Sequence, residues 1–191
     1  MKQLSFSNLL SLLAVFSLPS GASAALTMPD YCHMDYCYQT TIDSKEYVDS
    51  NNNGTLYLLK KTIVTTPDTT YYPERIEINR RQFFDRYGSY SVSEQSESFV
   101  FCSPTRPTLL WKNDEGPDRY SGAVLAILNE PYGSNYTGYQ TYLAACHNLV
   151  GPDYFTFSTS AMLLREGYNT SYFSNYADIA FTTDNIMSIM Q

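Results

Sequence analysis

The 191-residue chain carries 19 Asp and Glu against 12 Lys and Arg, a formal net charge of −7 with neutral histidines. That balance argues against a nucleic-acid or anionic-membrane surface, because both need clustered cations to neutralise phosphates. Only 16% of residues are charged, while 18 Tyr and 10 Phe stand among many Thr, Ser and Asn, a composition that leans towards sheet and excludes a disordered chain.

At the N-terminus, Lys2 precedes an apolar stretch from Leu9 to Leu18, then Pro19 and Ala22-Ser23-Ala24. This pattern predicts a secretory signal, residues 1–24, cleaved after Ala24. A retained anchor needs roughly 20 consecutive apolar residues, and this stretch is shorter and interrupted by Ser11 and Ser17. Residues 25–191 are then expected as one exported domain, periplasmic or secreted, with no membrane span in the mature chain. The signal holds one Lys and no acid, so the mature chain is more acidic still.

Cys32, Cys37, Cys102 and Cys146 follow the signal, and an even count in an oxidising compartment reads as two disulfides. Three pairings are possible, and sequence does not choose among them. The preferred one closes a small loop from Cys32 to Cys37 and ties a central strand to a later helix through Cys102 and Cys146. In the loop-entropy account the longer bridge contributes on the order of 3 to 4 kcal/mol. A zinc knuckle is disfavoured, because C-x4-C is wider than the usual C-x2-C and the other two cysteines are isolated.

Residues 38–49 and 55–65 read as strands of a hairpin turning at Asn53-Gly54, a step that supplies positive φ. Ile76 and Ile78 alternate with polar residues as in a short strand. Asn79, followed by Gln82, resembles a capping box for a helix from Arg80 to Tyr87, with Gly88 ending it. Residues 89–103 read as extended, with a polar middle that suggests a loop and a firm strand at 99–102. Leu109 to Trp111 begins another strand, and 112–120 is a polar loop. The apolar run 123–128 is too short to assign by period. Tyr139, Tyr142, Leu143, Cys146 and Val150 recur at helical spacing, giving a helix over 138–149 that Gly151-Pro152 stops. The C-terminal tail is expected to fray. The expected fold is a β-rich α+β domain: an antiparallel sheet or small sandwich, disulfide-bonded, with one or two packed helices.

His33 and His147 each directly follow a cysteine, Cys32 and Cys146. If those cysteines were bonded to each other, the imidazoles could share a metal or a proton, with Asp30 and Asp35 nearby. The competing reading leaves both histidines on the surface. Arg75, Arg80, Arg81 and Arg86 could grip a carboxylate or phosphate, although Glu74, Glu77 and Asp85 offer ion pairs in the same stretch. Asp114, Glu115 and Asp118 do not follow the calcium-loop spacing and read as turn residues. Asn53, Asn135 and Asn169 begin Asn-x-Ser/Thr sequons, glycosylation candidates only in a eukaryotic pathway.

No G-x-S-x-G, S-x-x-K, H-E-x-x-H or phosphate-binding glycine motif occurs. The chain therefore reads as a non-enzymatic extracytoplasmic binding or inhibitor-type module, partnered by a protein or small ligand and needing no cofactor. Its candidate contact surface is Tyr132, Tyr136, Tyr139 and Tyr142, since Tyr offers large contact area with little rotamer entropy to lose. The alternative is a small hydrolase or metal-binding protein using His33 or His147.

Overall fold

The computed structural model describes residues 24–70, 73–114, 116, 118–128, 135–151, 156–168 and 179–191. The expected signal, Tyr132, Asn169 and Glu115 lie outside the described residues, apart from Ala24. Eight strands form one antiparallel sheet among them: β1 (Leu26–Thr27), β2 (Tyr31–His33), β3 (Tyr36–Asn51), β4 (Gly54–Pro67), β5 (Val92–Cys102), β6 (Thr108–Lys112), β7 (Tyr120–Val124) and β8 (Ile179–Thr183). Their spatial order is β1-β3-β4-β5-β6-β7-β8, and β2 pairs with β3 further along the margin that β1 occupies. The helices are α1 (Ile76–Tyr87), α2 (Tyr136–His147) and α3 (Phe157–Arg165), where one or two were expected. The molecule is thus a β-rich α+β fold. Two disulfides staple it, Cys32 to Cys37 and Cys102 to Cys146, and they form the pairing preferred from the sequence.

The β3–β4 hairpin turns at Asn52-Asn53, where Asn51 pairs with Gly54. The positive φ expected at Asn53-Gly54 is absent; among the described residues only Met34, Gly88, Asn148 and Gly167 have it. Gly54 answers a different need, since a Cβ there would meet the Cys102 carbonyl oxygen at 2.4 Å. Irregularities between Ile42 and Ser44 and between Tyr47 and Asp49 interrupt the register of β3 and sharpen its twist. β5 runs unbroken through its polar middle because every residue from Val92 to Cys102 pairs with β4. The ladder is made by main-chain groups, so side-chain polarity does not stop it.

Successive strand side chains point to opposite faces, and both faces of this sheet are covered. Tyr57 and Leu59 of β4, Val100 of β5 and Leu109 of β6 pack beneath Tyr139, Tyr142 and Leu143 of α2. On the reverse face Leu56, Phe101 and Leu110 are sealed by Ile189 and Met190. Those two residues lie in a final 3-10 turn, Ile186–Met190, so the expected frayed tail is corrected. Asn51 Nδ2 donates to the Met190 carbonyl at 2.6 Å, and Arg106 Nη1 donates to that of Gln191 at 2.8 Å. Apolar anchors and main-chain acceptors together hold the tail down.

Three further expectations change. Ile76 to Ile78 is the first turn of α1 rather than a strand, because Asn79 and Phe83, four residues apart, share the buried helical face. Asn79 is therefore inside the helix and not its cap, and its Nδ2 donates to the Asp68 carbonyl at 3.2 Å. The run 123–128 splits: Ala123 and Val124 end β7, while Leu125, Ala126 and Ile127 are buried outside any strand. α3 and β8 carry no firm sequence signal and were not expected.

Candidate functional site

α2 has a polar neighbourhood at each end. At its C-terminal end, His147 Nδ1 lies 3.0 Å from a Glu166 carboxylate oxygen, and His147 Nε2 lies 2.9 Å from the Tyr168 hydroxyl. Tyr168 meets the Tyr142 hydroxyl at 2.8 Å, and the Ser103 N–H donates to that same oxygen at 3.1 Å. Burial lowers the pKa of His147 below the ordinary imidazole range; Glu166 opposes this and Lys45 reinforces it. With a neutral ring, Nδ1–H donates to Glu166 and Tyr168 donates to Nε2, the Ser103 N–H donates to the Tyr142 oxygen, and the single Tyr142 proton is shared between two acceptors, the Tyr168 oxygen at 2.8 Å and the Ser103 carbonyl at 3.2 Å. The same end carries the Cys102–Cys146 bond. Tyr142 is wholly buried and burial raises its pKa strongly, so the chain of hydroxyls ends inside the protein, where no substrate reaches it.

At the other end, a cleft of about 940 Å³ opens between the first turns of α2 and the sheet. Its walls include Ile63, Leu109, Trp111 and Leu125 together with Thr40, Lys61, Ser98 and Thr141. Register explains the mixture. Lys61 sits in the phase of Leu59 and Ile63 on β4, opposite Ile42 of β3 and Ser96 of β5, so it points to the face that α2 covers. Burial pushes its ammonium down to about 8, with no charged group offsetting the effect. Lys61 makes no hydrogen bond or ion pair among the described residues. Ser98, 3% exposed, has a buried Oγ without a partner. Thr141, by contrast, closes its hydroxyl onto the Thr137 carbonyl at 2.8 Å. Comparison with protein-family models, curated proteins and solved structures finds no match. The cleft must therefore be read from its own chemistry.

The residues singled out from sequence fall as follows. His33 lies in β2 and stacks on Tyr31, with ring centroids 6.2 Å apart. The Cys32–Cys146 bond that would have joined the histidines does not form, because each cysteine has another partner. Both ring nitrogens of His147 have partners, Glu166 and Tyr168. The one group of three metal-type ligands among the described residues is Cys32, Cys37 and Asp68, and its two sulfurs are already bonded to each other. Tyr139 and Tyr142 are buried in the core, so they cannot form the expected contact surface. Tyr136 is partly exposed and stacks on Tyr31 at 4.5 Å.

The arginines disperse. Arg75 pairs with Asp35 at 3.1 Å, Arg80 with Glu77 at 3.8 Å and Arg81 with Asp85 at 3.9 Å, and Arg86 donates to the Tyr36 hydroxyl at 3.4 Å. No common grip results. Asp114 and Asp118 are exposed in the β6–β7 connection. Asn53 is exposed in the β3–β4 turn, and Asn135 is exposed just ahead of α2. Sequence reasoning missed Lys61 and Ser98. The signal that could have found them is a charge, and a hydroxyl, standing in the inward phase of two strongly patterned strands.

Proposed function

We propose that this chain is an exported, non-enzymatic binding module that holds a small molecule in the cleft between α2 and the sheet. The observation that carries this reading is the company Ser98 keeps. Four buried side-chain atoms lack a hydrogen bond among the described residues, and Ser98 Oγ is the one that lines this cleft. A buried donor left unmade costs about 1 to 3 kcal/mol, so a fold that retains one beside an uncompensated ammonium has left room for a partner. The volume falls within the ~300 to 1,000 Å³ of small-molecule sites, and the mixture of apolar walls and a few polar groups is theirs as well.

Export is part of the same reading, and three features support it. Residues 1–24 have the signal pattern, the two disulfides suit an oxidising compartment, and no helix among the described residues is long and apolar enough to cross a membrane. Trp111, the only tryptophan in the chain, stands in the cleft wall and serves as a built-in reporter. The test is to purify the protein natively, extract it with organic solvent and identify what is released by mass spectrometry. A stoichiometric small molecule whose re-addition shifts Trp111 emission is expected. An empty extract, together with emission indifferent to a broad metabolite panel, would refute the proposal.

A further inference from the structure

Resting on the cleft reading, we infer that the ligand is an amphipathic monocarboxylate, one carboxylate on an apolar body, with the carboxylate held between Lys61 and Ser98. The register places the two side chains on one face: Lys61 is directly opposite Ser96 and diagonal to Ser98, a separation of about 7 to 8 Å between backbones. An ammonium and a hydroxyl at that spacing can both donate to one carboxylate lying between them. Each is otherwise unmatched. Thr40 of β3, 6% exposed, lines the same pocket.

Charge at the mouth limits the anion to a single negative charge. Among the described residues the acids on this side are Glu94 and Asp114, with Lys112 the one other cation of the lining, while Glu97, directly opposite Lys60, turns to the reverse face; no arginine fork of the kind that matches phosphate stands among the described lining residues. A dianion would be repelled by this rim. A monoanion with an apolar body crosses it at less cost, neutralises the ammonium and lays its body along Leu109, Trp111 and Leu125. The pKa of Lys61, pushed down to about 8 by burial, agrees: at neutral pH the amine is mostly protonated where it is partly desolvated, and a carboxylate offsets that loss.

The test uses the mature protein with decanoate, decanol and decylamine, which share one body and differ in head group. Binding is read by Trp111 emission and by titration calorimetry. Decanoate should bind, with decanol and decylamine each roughly tenfold or more weaker, the range expected of a charge-assisted hydrogen bond. Lys61→Met should abolish that preference while keeping the affinity for decanol, which shows that the variant still folds and still has a cleft. Ser98→Ala should weaken decanoate alone, by a few-fold. Equal binding of decanoate and decanol to the unmodified protein, or a preference that survives Lys61→Met, would overturn the carboxylate while leaving the binding function intact. Failure of all three probes overturns it too, and reaches the cleft itself only if the native extract is also empty.

Discussion

The two ends of α2 each bring polar side chains against the core and come out differently. At the C-terminal end a carboxylate, an imidazole, two phenols and a backbone amide are joined in an unbroken series of hydrogen bonds beside a disulfide. At the N-terminal end an ammonium and a hydroxyl face an open cleft without partners. Burial alone does not separate structure from function here, since each set mixes buried and partly exposed side chains. What separates them is whether the polar groups are satisfied, because a satisfied network rigidifies a core while an unsatisfied one needs an occupant.

The largest expected effect sharpens the structural side. Replacing Cys102 and Cys146 together by alanine releases a bond spanning 44 residues, and chemical denaturation should show a loss of about 3 to 4 kcal/mol. Next, Tyr142→Phe deletes the hydroxyl that Ser103 and Tyr168 share, and should cost about 1 to 3 kcal/mol. Ser98→Ala at the other end removes an equally buried hydroxyl that has no partner, so the ligand-free protein should lose no stability and should gain up to about 1 to 3 kcal/mol. Equal losses from the two substitutions would erase the distinction between the ends.

The smallest effect is in pH. Burial lowers the pKa of His147 in the folded protein, so the unfolded chain binds the proton more readily and stability rises with pH through that window. Thermal melts should show stability intact above about pH 6.5, the unfolded imidazole value, and lost as pH falls through the lower folded value. His147→Gln should flatten that dependence. The groups facing the ring are Glu166, Tyr168, Tyr142 and Lys45. Of these Glu166 alone is a carboxylate, so Glu166→Gln in the same melts separates its contribution from that of the ring.

Much of the fold could be read in advance because strand and helix periods are local. The alternation in 55–65 and the helical spacing from Tyr139 to Cys146 appear as β4 and α2. What could not be read depends on distant partners. Asn79 looks like a cap until Asp68 is seen to receive its amide. Tyr139 and Tyr142 look like a contact surface until the sheet on one side and Met28, Leu163 and Tyr168 on others enclose α2; Tyr139 to Ala145 are seven consecutive buried residues, so this helix has no outer face to present. Ile189 and Met190 resemble a loose end until Leu56 and Phe101 need a cover. The candidate site was hidden for the same reason: Lys60 and Lys61 look alike in sequence, and only register turns Lys61 inward while Lys60 pairs with Glu46 at 2.7 Å.

The broken register of β3 bears on self-association. Among the described residues, β1 and β2 occupy the outer margin of β3 only as far as Ile42, which leaves 43–51 as an open sheet edge of the sort on which a second copy of a protein can lay a strand. Here the edge is kinked at two places and bears Asp43, Lys45, Glu46 and Asp49. On this margin a second copy therefore meets a bent, charged edge rather than a flat template for stacking.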